Sequence, residues 1–228
     1  MAAKKRIALY GGTFDPVHLG HVAIATRVSA LFEIDELLFI PAQLAPHKLT
    51  QEVTPALHRH AMLVLATQHD SRLRVSTYEL EAPNRSYTVD TLAYFEASLG
   101  ESAELFFVMG ADSWSEITTW REWRRLLSLA NQIVVTRPGF DISFAEVGAD
   151  VQFADLRGAT SLPDSGKGEG KKVLVTDTVK MDISATEIRQ AAREERCARL
   201  AELVPMSVAE YIIKYQLYRE TNESKLNG

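Results

Sequence analysis

The sequence predicts an α/β fold: a doubly wound parallel sheet, Rossmann-like, with helices on both faces and a small helical part at the C-terminal end. Three observations carry that expectation. Strand-like and helix-like patterns alternate along the chain, with no internal repeat, which implies βαβ units and parallel pairing. The first apolar run, Ile7-Ala8-Leu9-Tyr10, passes through Gly11-Gly12 into a helix-like stretch from Leu19; strand, tight turn and helix together aim backbone N–H groups at an anion. Finally, Gly11–His21, Ala42–Lys48 and Gly110-Ala111-Asp112 each follow a predicted strand. In a sheet of this kind, loops at the carboxyl ends of strands converge on one crevice near the point where strand order reverses.

The elements follow in order. Strands are expected at 7–10, 37–40 (Leu-Leu-Phe-Ile), 73–76, 105–109 (Leu-Phe-Phe-Val-Met), 132–136 (Gln-Ile-Val-Val-Thr) and 173–176. Helices are expected at 19–32, 55–68, 88–98, 120–130, 185–195 and 207–216. Asp35 and Glu36 separate the first helix from the second strand, and Pro41 ends that strand. A polar loop from Ala42 to Thr54 carries Pro46-His47-Lys48, and Thr54-Pro55 reads as an N-cap followed by proline at the first helical position. Arg157 to Lys172 holds four glycines and little to bury, and is expected to be a mobile surface loop. The expected division is an α/β part over 1–183, a C-terminal helical part of the same unit over 184–220, and a frayed polar tail over 221–228.

Bulk composition narrows the class. At 228 residues the chain suits one large domain, or one domain plus a small appendage. Thirty acidic residues against 25 basic ones give a net charge of −5, which argues against general nucleic-acid binding. The single cysteine, Cys197, allows neither an internal disulfide nor a cysteine-rich zinc site, and fits a reducing cytoplasm. The basic start Lys4-Lys5-Arg6 is followed by an apolar run too short for a signal peptide, and no stretch approaches the ~20 apolar residues of a membrane span. Homo-oligomerisation is compatible with the sequence.

The chemistry concentrates in Gly11-Gly12-Thr13-Phe14-Asp15-Pro16-Val17-His18-Leu19-Gly20-His21. Amide donors, a hydroxyl and two imidazoles on one face of a first helical turn suit a polyphosphate. The string lacks the Gly-Lys-Ser/Thr ending of a P-loop and the third glycine of a dinucleotide fingerprint. His18 and His21 have the spacing of two zinc ligands, but no third ligand is evident nearby, and no metal site is expected in the protein itself. His58, His60 and His69 are expected at the surface or as caps.

These residues resemble the His-x-Gly-His nucleotidyltransferases, and the full eleven-residue string is similar to the nicotinate mononucleotide adenylyltransferases of bacterial NAD synthesis. A second signature of that superfamily appears as Ile183-Ser184-Ala185-Thr186-Glu187-Ile188-Arg189, with alanine where a second serine is usual. The resemblance spans roughly residues 6 to 215, with 157–172 looking like an insertion. It implies transfer of AMP from ATP to nicotinate mononucleotide, with Mg²⁺ bound mainly through the ATP phosphates. Gly11, Gly12, Thr13 and Phe14 would bind ATP with His18 and His21, and Ser184, Thr186 and Arg189 would take its β- and γ-phosphates. His18, His21, Arg189 and Lys48 would form the catalytic set. Such chemistry is mainly positioning and charge stabilisation, because the attacking phosphate is already ionised and needs no general base.

The middle of the chain bears on the acceptor. Ser86-Tyr87-Thr88-Val89-Asp90-Thr91-Leu92, the strand end Gly110-Ala111-Asp112, Trp120, and Val135-Thr136-Arg137-Pro138-Gly139 all match strings of the same family. By that resemblance Thr88 and Trp120 contact the nicotinate ring, Gly110 and Asp112 a ribose or nearby backbone, and Arg137 the crevice charge. Arg121 stands where many relatives place tyrosine. Trp114 and Trp123 are expected in the core, with Trp120 and Trp123 on one helical face. No carboxylate is placed beside the ring, although Asp90 and Asp112 are close in sequence, so the pocket should offer donors and prefer the acid over the amide. The rival readings are nicotinamide mononucleotide, phosphopantetheine or FMN as acceptor, and a non-catalytic ATP-binding sensor.

Overall fold

A computed structural model describes residues 4–43, 53–82, 87–136, 142–144, 147–148, 151–161, 170–177, 179 and 183–219. The strands are β1 (Lys5–Gly12), β2 (Glu36–Pro41), β3 (Leu73–Val75), β4 (Ala103–Gly110), β5 (Asn131–Val135), β6 (Gln152–Asp155) and β7 (Lys172–Thr176). The helices are α1 (Leu19–Leu31), α2 (Ala56–Thr67), α3 (Tyr78–Glu81), α4 (Thr88–Leu99), α5 (Ala111–Ser115), α6 (Trp123–Leu129), α7 (Ala185–Arg193), α8 (Cys197–Leu203) and α9 (Met206–Lys214).

The strands form one sheet in the order β3-β2-β1-β4-β5-β7-β6, and every pairing is parallel. The chain runs outward from β1 through β2 to β3, then returns to lay β4 on the other side of β1. Strand order therefore reverses between β1 and β4, whose carboxyl ends are Gly11-Gly12 and Gly110. That is where a doubly wound sheet opens a crevice.

Alternation along the central strands feeds two cores. Ala8 and Tyr10 of β1 join Leu37, Phe39 and Val108 on one face, with Ile188, Leu200, Leu203, Val208 and Ile212 from α7–α9. Ile7 and Leu9 join Phe107 and Met109 on the other face, with Val89, Leu92 and Leu126 from α4 and α6. Burial on both faces explains why these strands read as continuous apolar runs. The C-terminal helices share the core of the α/β part.

The predicted doubly wound fold is the observed one. Four elements were not expected: β6, a four-residue edge strand, and the helices α3, α5 and α8. The helix expected at 120–130 begins only at Trp123, because Glu122 takes a left-handed φ of 49° at its N-cap. Trp120 and Trp123 thus do not share a helical face. Pro55 stands at the N-cap of α2 and not one residue inside it. His58, rather than capping, meets the Tyr211 hydroxyl at 2.9 Å and ties α2 to α9. Residues 162–169 of the predicted 157–172 loop, and the tail from 220, lie outside the described residues. Among the described residues no helix is long and apolar enough to cross a membrane.

Candidate active site

The turn after β1 has its sequence for steric reasons. A Cβ at Gly12 would lie 2.9 Å from the Phe14 ring. That ring cannot retreat: Phe14 is buried, packs against Tyr10 and Phe39, and itself holds a φ of 50°. Glycine at 12 is what lets the chain fold Phe14 back under its own turn.

His18 is the N-cap of α1 and His21 its third residue. Their rings stack with centroids 3.6 Å apart. The His18 backbone N–H donates to His21 Nδ1 at 3.2 Å. With Nδ1 an acceptor, the proton of the neutral His21 ring sits on Nε2, the side left to donate outward. Tyr10 and Phe14 flank the same ring. Burial, aided by repulsion from His18, holds the His21 pKa well below the ordinary histidine value. Gly20 serves this pair, since a Cβ there would meet His18 Nδ1 at 3.0 Å.

The second signature arrives from the far end of the chain. Ser184 caps α7, its hydroxyl accepting the Thr186 N–H at 3.2 Å. One turn on, Arg189 donates through Nη1 to the Asp15 carbonyl at 2.8 Å and through Nη2 to Thr186 Oγ1 at 3.3 Å. Residues 174 positions apart are thereby joined, and the glycine turn, the histidines and a guanidinium share one neighbourhood.

On its other side the turn walls a cavity of about 290 Å³ at the β1/β4 switch point. Gly11, Gly12, Thr13, Thr88, Gly110, Trp120 and Arg121, all predicted, line it. Thr88 opens α4, whose first amides lack intrahelical partners and favour a negative group. The Trp120 indole N–H is buried with no hydrogen-bond partner among the described residues. The Arg121 guanidinium lies over the Tyr87 ring, 4.7 Å from its centroid. Asp112 does not line the cavity; it is exposed on α5. Trp114 is buried in the core, its N–H donating to the Ser143 carbonyl at 3.3 Å. Lys48 and Arg137 lie outside the described residues. Among the described residues no group of three or more His, Cys, Asp or Glu side chains is placed to hold a metal ion.

A cytidylyltransferase-like family profile matches residues 9–191, a span that contains both signatures. Proteins named probable nicotinate-nucleotide adenylyltransferase align over nearly the whole chain. The one from Thermoanaerobacter sp. is 34% identical over 98% of this chain and 99% of its own length. That from Thermus thermophilus is 37% identical over 94% and 100%. The chain belongs to the cytidylyltransferase-like family and, within it, to the nicotinate-nucleotide adenylyltransferases. Its fold is also that of a Plasmodium falciparum nicotinic acid mononucleotide adenylyltransferase, solved complexed with NaAD, at a TM-score of 0.70 and 23% identity over 94% of this chain and 97% of that one. The same protein complexed with APC gives a TM-score of 0.68.

Two side chains of this family member escape sequence reasoning. Arg59 of α2, 1% exposed, donates to the carbonyls of Thr54, Thr13, Ala42 and Gln43 at 2.8, 2.7, 2.7 and 3.2 Å. It ties the glycine turn to the loop after β2. Buried Asp15 works beside it, accepting from the Thr54 N–H at 3.2 Å and from the Tyr218 hydroxyl at 2.8 Å. The second is Glu79 of α3, which lines the cavity and accepts from Thr91 Oγ1 at 2.7 Å. Burial pushes its carboxyl up to about 7 against that hydrogen bond. The carboxylate on the cavity wall is thus Glu79, and neither Asp90 nor Asp112, the two that the sequence left open, lines it. Glu79 enters from a four-residue helix that the sequence did not announce.

Proposed function

We propose that this protein transfers the AMP moiety of ATP to nicotinate mononucleotide, giving deamido-NAD and pyrophosphate. A phosphate oxygen of the mononucleotide attacks the α-phosphorus in line, a new P–O bond forms, and the bond to pyrophosphate breaks with its electrons on the leaving group. No proton is removed, so the residues position and neutralise. The observation that carries the reading is the convergence of His18, His21 and Arg189 on a glycine turn that also walls the cavity. In this reading neutral His21 donates from Nε2 to the α-phosphate, and His18 and the turn amides hold the neighbouring oxygens. Ser184, Thr186 and Arg189 take the β- and γ-phosphates, and Lys48 and Arg137 add positive charge. Mg²⁺ enters with ATP as part of the substrate, since the donors described are imidazole, amide and guanidinium rather than a carboxylate cluster.

The cavity suits a flat acidic ring: an aromatic wall, the amides and hydroxyl at the start of α4, and the buried Trp120 N–H. Asp112, outside the cavity wall, is assigned to a ribose or nearby backbone. We further read 1–183 and 184–220 as one cytoplasmic working unit acting on small molecules. Pyrophosphate release with each candidate acceptor tests the reading. Near neutral pH, nicotinate mononucleotide should exceed nicotinamide mononucleotide by roughly tenfold or more in kcat/KM, since one unmatched buried polar group costs about 1–3 kcal/mol. Equal efficiencies would sink the preference, and no pyrophosphate with any acceptor would favour an ATP sensor.

Arg189→Ala should raise the KM for ATP roughly 10–100-fold, the value of one charge-assisted pair at about 1.5–3 kcal/mol. Arg189→Lys should recover only part, because an ammonium lacks the planar fork. Identical ATP dependence in wild type and Arg189→Ala removes Arg189 from the phosphate site.

A further inference from the structure

We propose that Glu79 makes the choice of acceptor depend on pH: its carboxyl, on the cavity wall with Thr88, Trp120 and Arg121, admits the acidic pyridine ring when protonated and favours the carboxamide ring when ionised. The inference rests on the reading given above and adds to it a residue that sets specificity.

Geometry carries it. Glu79 is the only acidic side chain among the described residues lining the cavity, and it is half-buried. Thr91 Oγ1, 3% exposed on α4, donates to Glu79 Oε1 at 2.7 Å and fixes that oxygen. The other oxygen has no described protein donor in hydrogen-bond reach. Tyr78 precedes it on the same helix, and Tyr87 and Arg121 line the same cavity. Of these only Arg121 is cationic, and its guanidinium is engaged over Tyr87 and 3.6 Å from Glu122. The carboxyl accordingly titrates near neutrality, at about 7, with burial as the cause.

The two acceptors differ at one group. Both carry the same cationic ring, ribose and phosphate, so those effects cancel when their efficiencies are compared. A nicotinate carboxylate beside ionised Glu79 meets like charge; a carboxamide NH₂ beside it gains an acceptor. Protonated Glu79 reverses the advantage, because it no longer repels the acid and can donate to it. Raising the pH through about 7 therefore turns the cavity from one suited to the acid toward one that tolerates the amide.

The test is the ratio of kcat/KM for nicotinate mononucleotide over nicotinamide mononucleotide, from about pH 6 to about pH 8.5. In the wild-type protein the ratio should fall roughly tenfold, the size of a one-unit coupling between like charges. In Glu79→Gln, which keeps shape but cannot ionise, it should be flat. Thr91→Val removes a hydrogen bond that favours the ionised form, so its transition should move to higher pH. A merely structural role for either residue would not shift that midpoint. A flat wild-type ratio, or an undiminished slope in Glu79→Gln, overturns the inference while leaving the adenylyl transfer reading intact. Failure to turn over either mononucleotide overturns both, and is recognised by the lack of pyrophosphate at every pH.

Discussion

His21→Ala is expected to lower kcat by ~10²–10³ while the chain stays folded, the usual cost of losing one preorganised donor to transition-state charge. The expectation follows from the proton on His21. Its Nδ1 is occupied by the His18 N–H at 3.2 Å, so Nε2 carries the hydrogen in the neutral ring. Tyr10, Phe14 and the stacked His18 ring hold the imidazole in place before any ligand arrives. A donor fixed in advance needs no reorganisation as charge builds on the α-phosphate. Alanine supplies no donor and also frees the part-buried His18 amide, the loss of one N-cap contact at about 0.5–2 kcal/mol. A pH signature accompanies the loss. The folded-state pKa of His21 lies below its unfolded value, so below about 6.5 the unfolded chain binds a proton that the folded chain refuses. Wild-type stability should therefore fall as pH drops through that range, and His21→Ala should flatten this limb. Turnover within threefold of wild type, with an unchanged acid limb, would show that the ring neither donates nor resists protonation.

The two signatures were legible because their chemistry is local. A phosphate needs several donors within a few ångströms, and a strand–turn–helix supplies them from neighbouring residues, so Gly11–His21 and Ser184–Arg189 each form a contiguous string. The sheet was legible for a related reason: its central strands are buried on both faces along their middles, which read as the apolar runs Ile7–Tyr10, Leu105–Met109 and Ile133–Val135. What stayed hidden depends on distance or on brevity. Glu79 acts from a helix of four residues, too short to show a period. The Gln152–Asp155 strand lies at the sheet edge, where half its residues face solvent and no apolar run is needed. Glu122 closes the register between Trp120 and α6 with a left-handed φ that nothing in its side chain signals. Arg59 looks in sequence like any solvated helical arginine, since its partners at Thr13 and Ala42 are 46 and 17 residues away.

Arg59→Met should produce the largest loss of stability among single substitutions at the site, lowering Tm by about 10 °C or more. The guanidinium is 1% exposed and has no water to fall back on. Its three nitrogens serve four carbonyls, those of Thr13, Thr54, Ala42 and Gln43. Methionine fills much of the volume but donates nothing, so several buried acceptors lose their partner at about 1–3 kcal/mol each. It also removes the cation whose charge acts on nearby Asp15. For a chain of this length each kcal/mol is worth roughly 2–4 °C, which sets the expected drop. Arg59→Lys keeps the charge but cannot fork to carbonyls from three segments, so it should recover part of the Tm and little of the geometry. The geometry has its own readout. Arg59 holds the Thr13 carbonyl, and with it the turn on which phosphate binding is placed, without being placed on ATP itself. Arg59→Lys should therefore raise the KM for ATP more than it lowers kcat at saturating ATP. A Tm within about 3 °C of wild type for Arg59→Met, or an unchanged KM in Arg59→Lys, would mean the turn holds its shape without the guanidinium. The bound carbonyls would then be a consequence of the fold and not one of its causes.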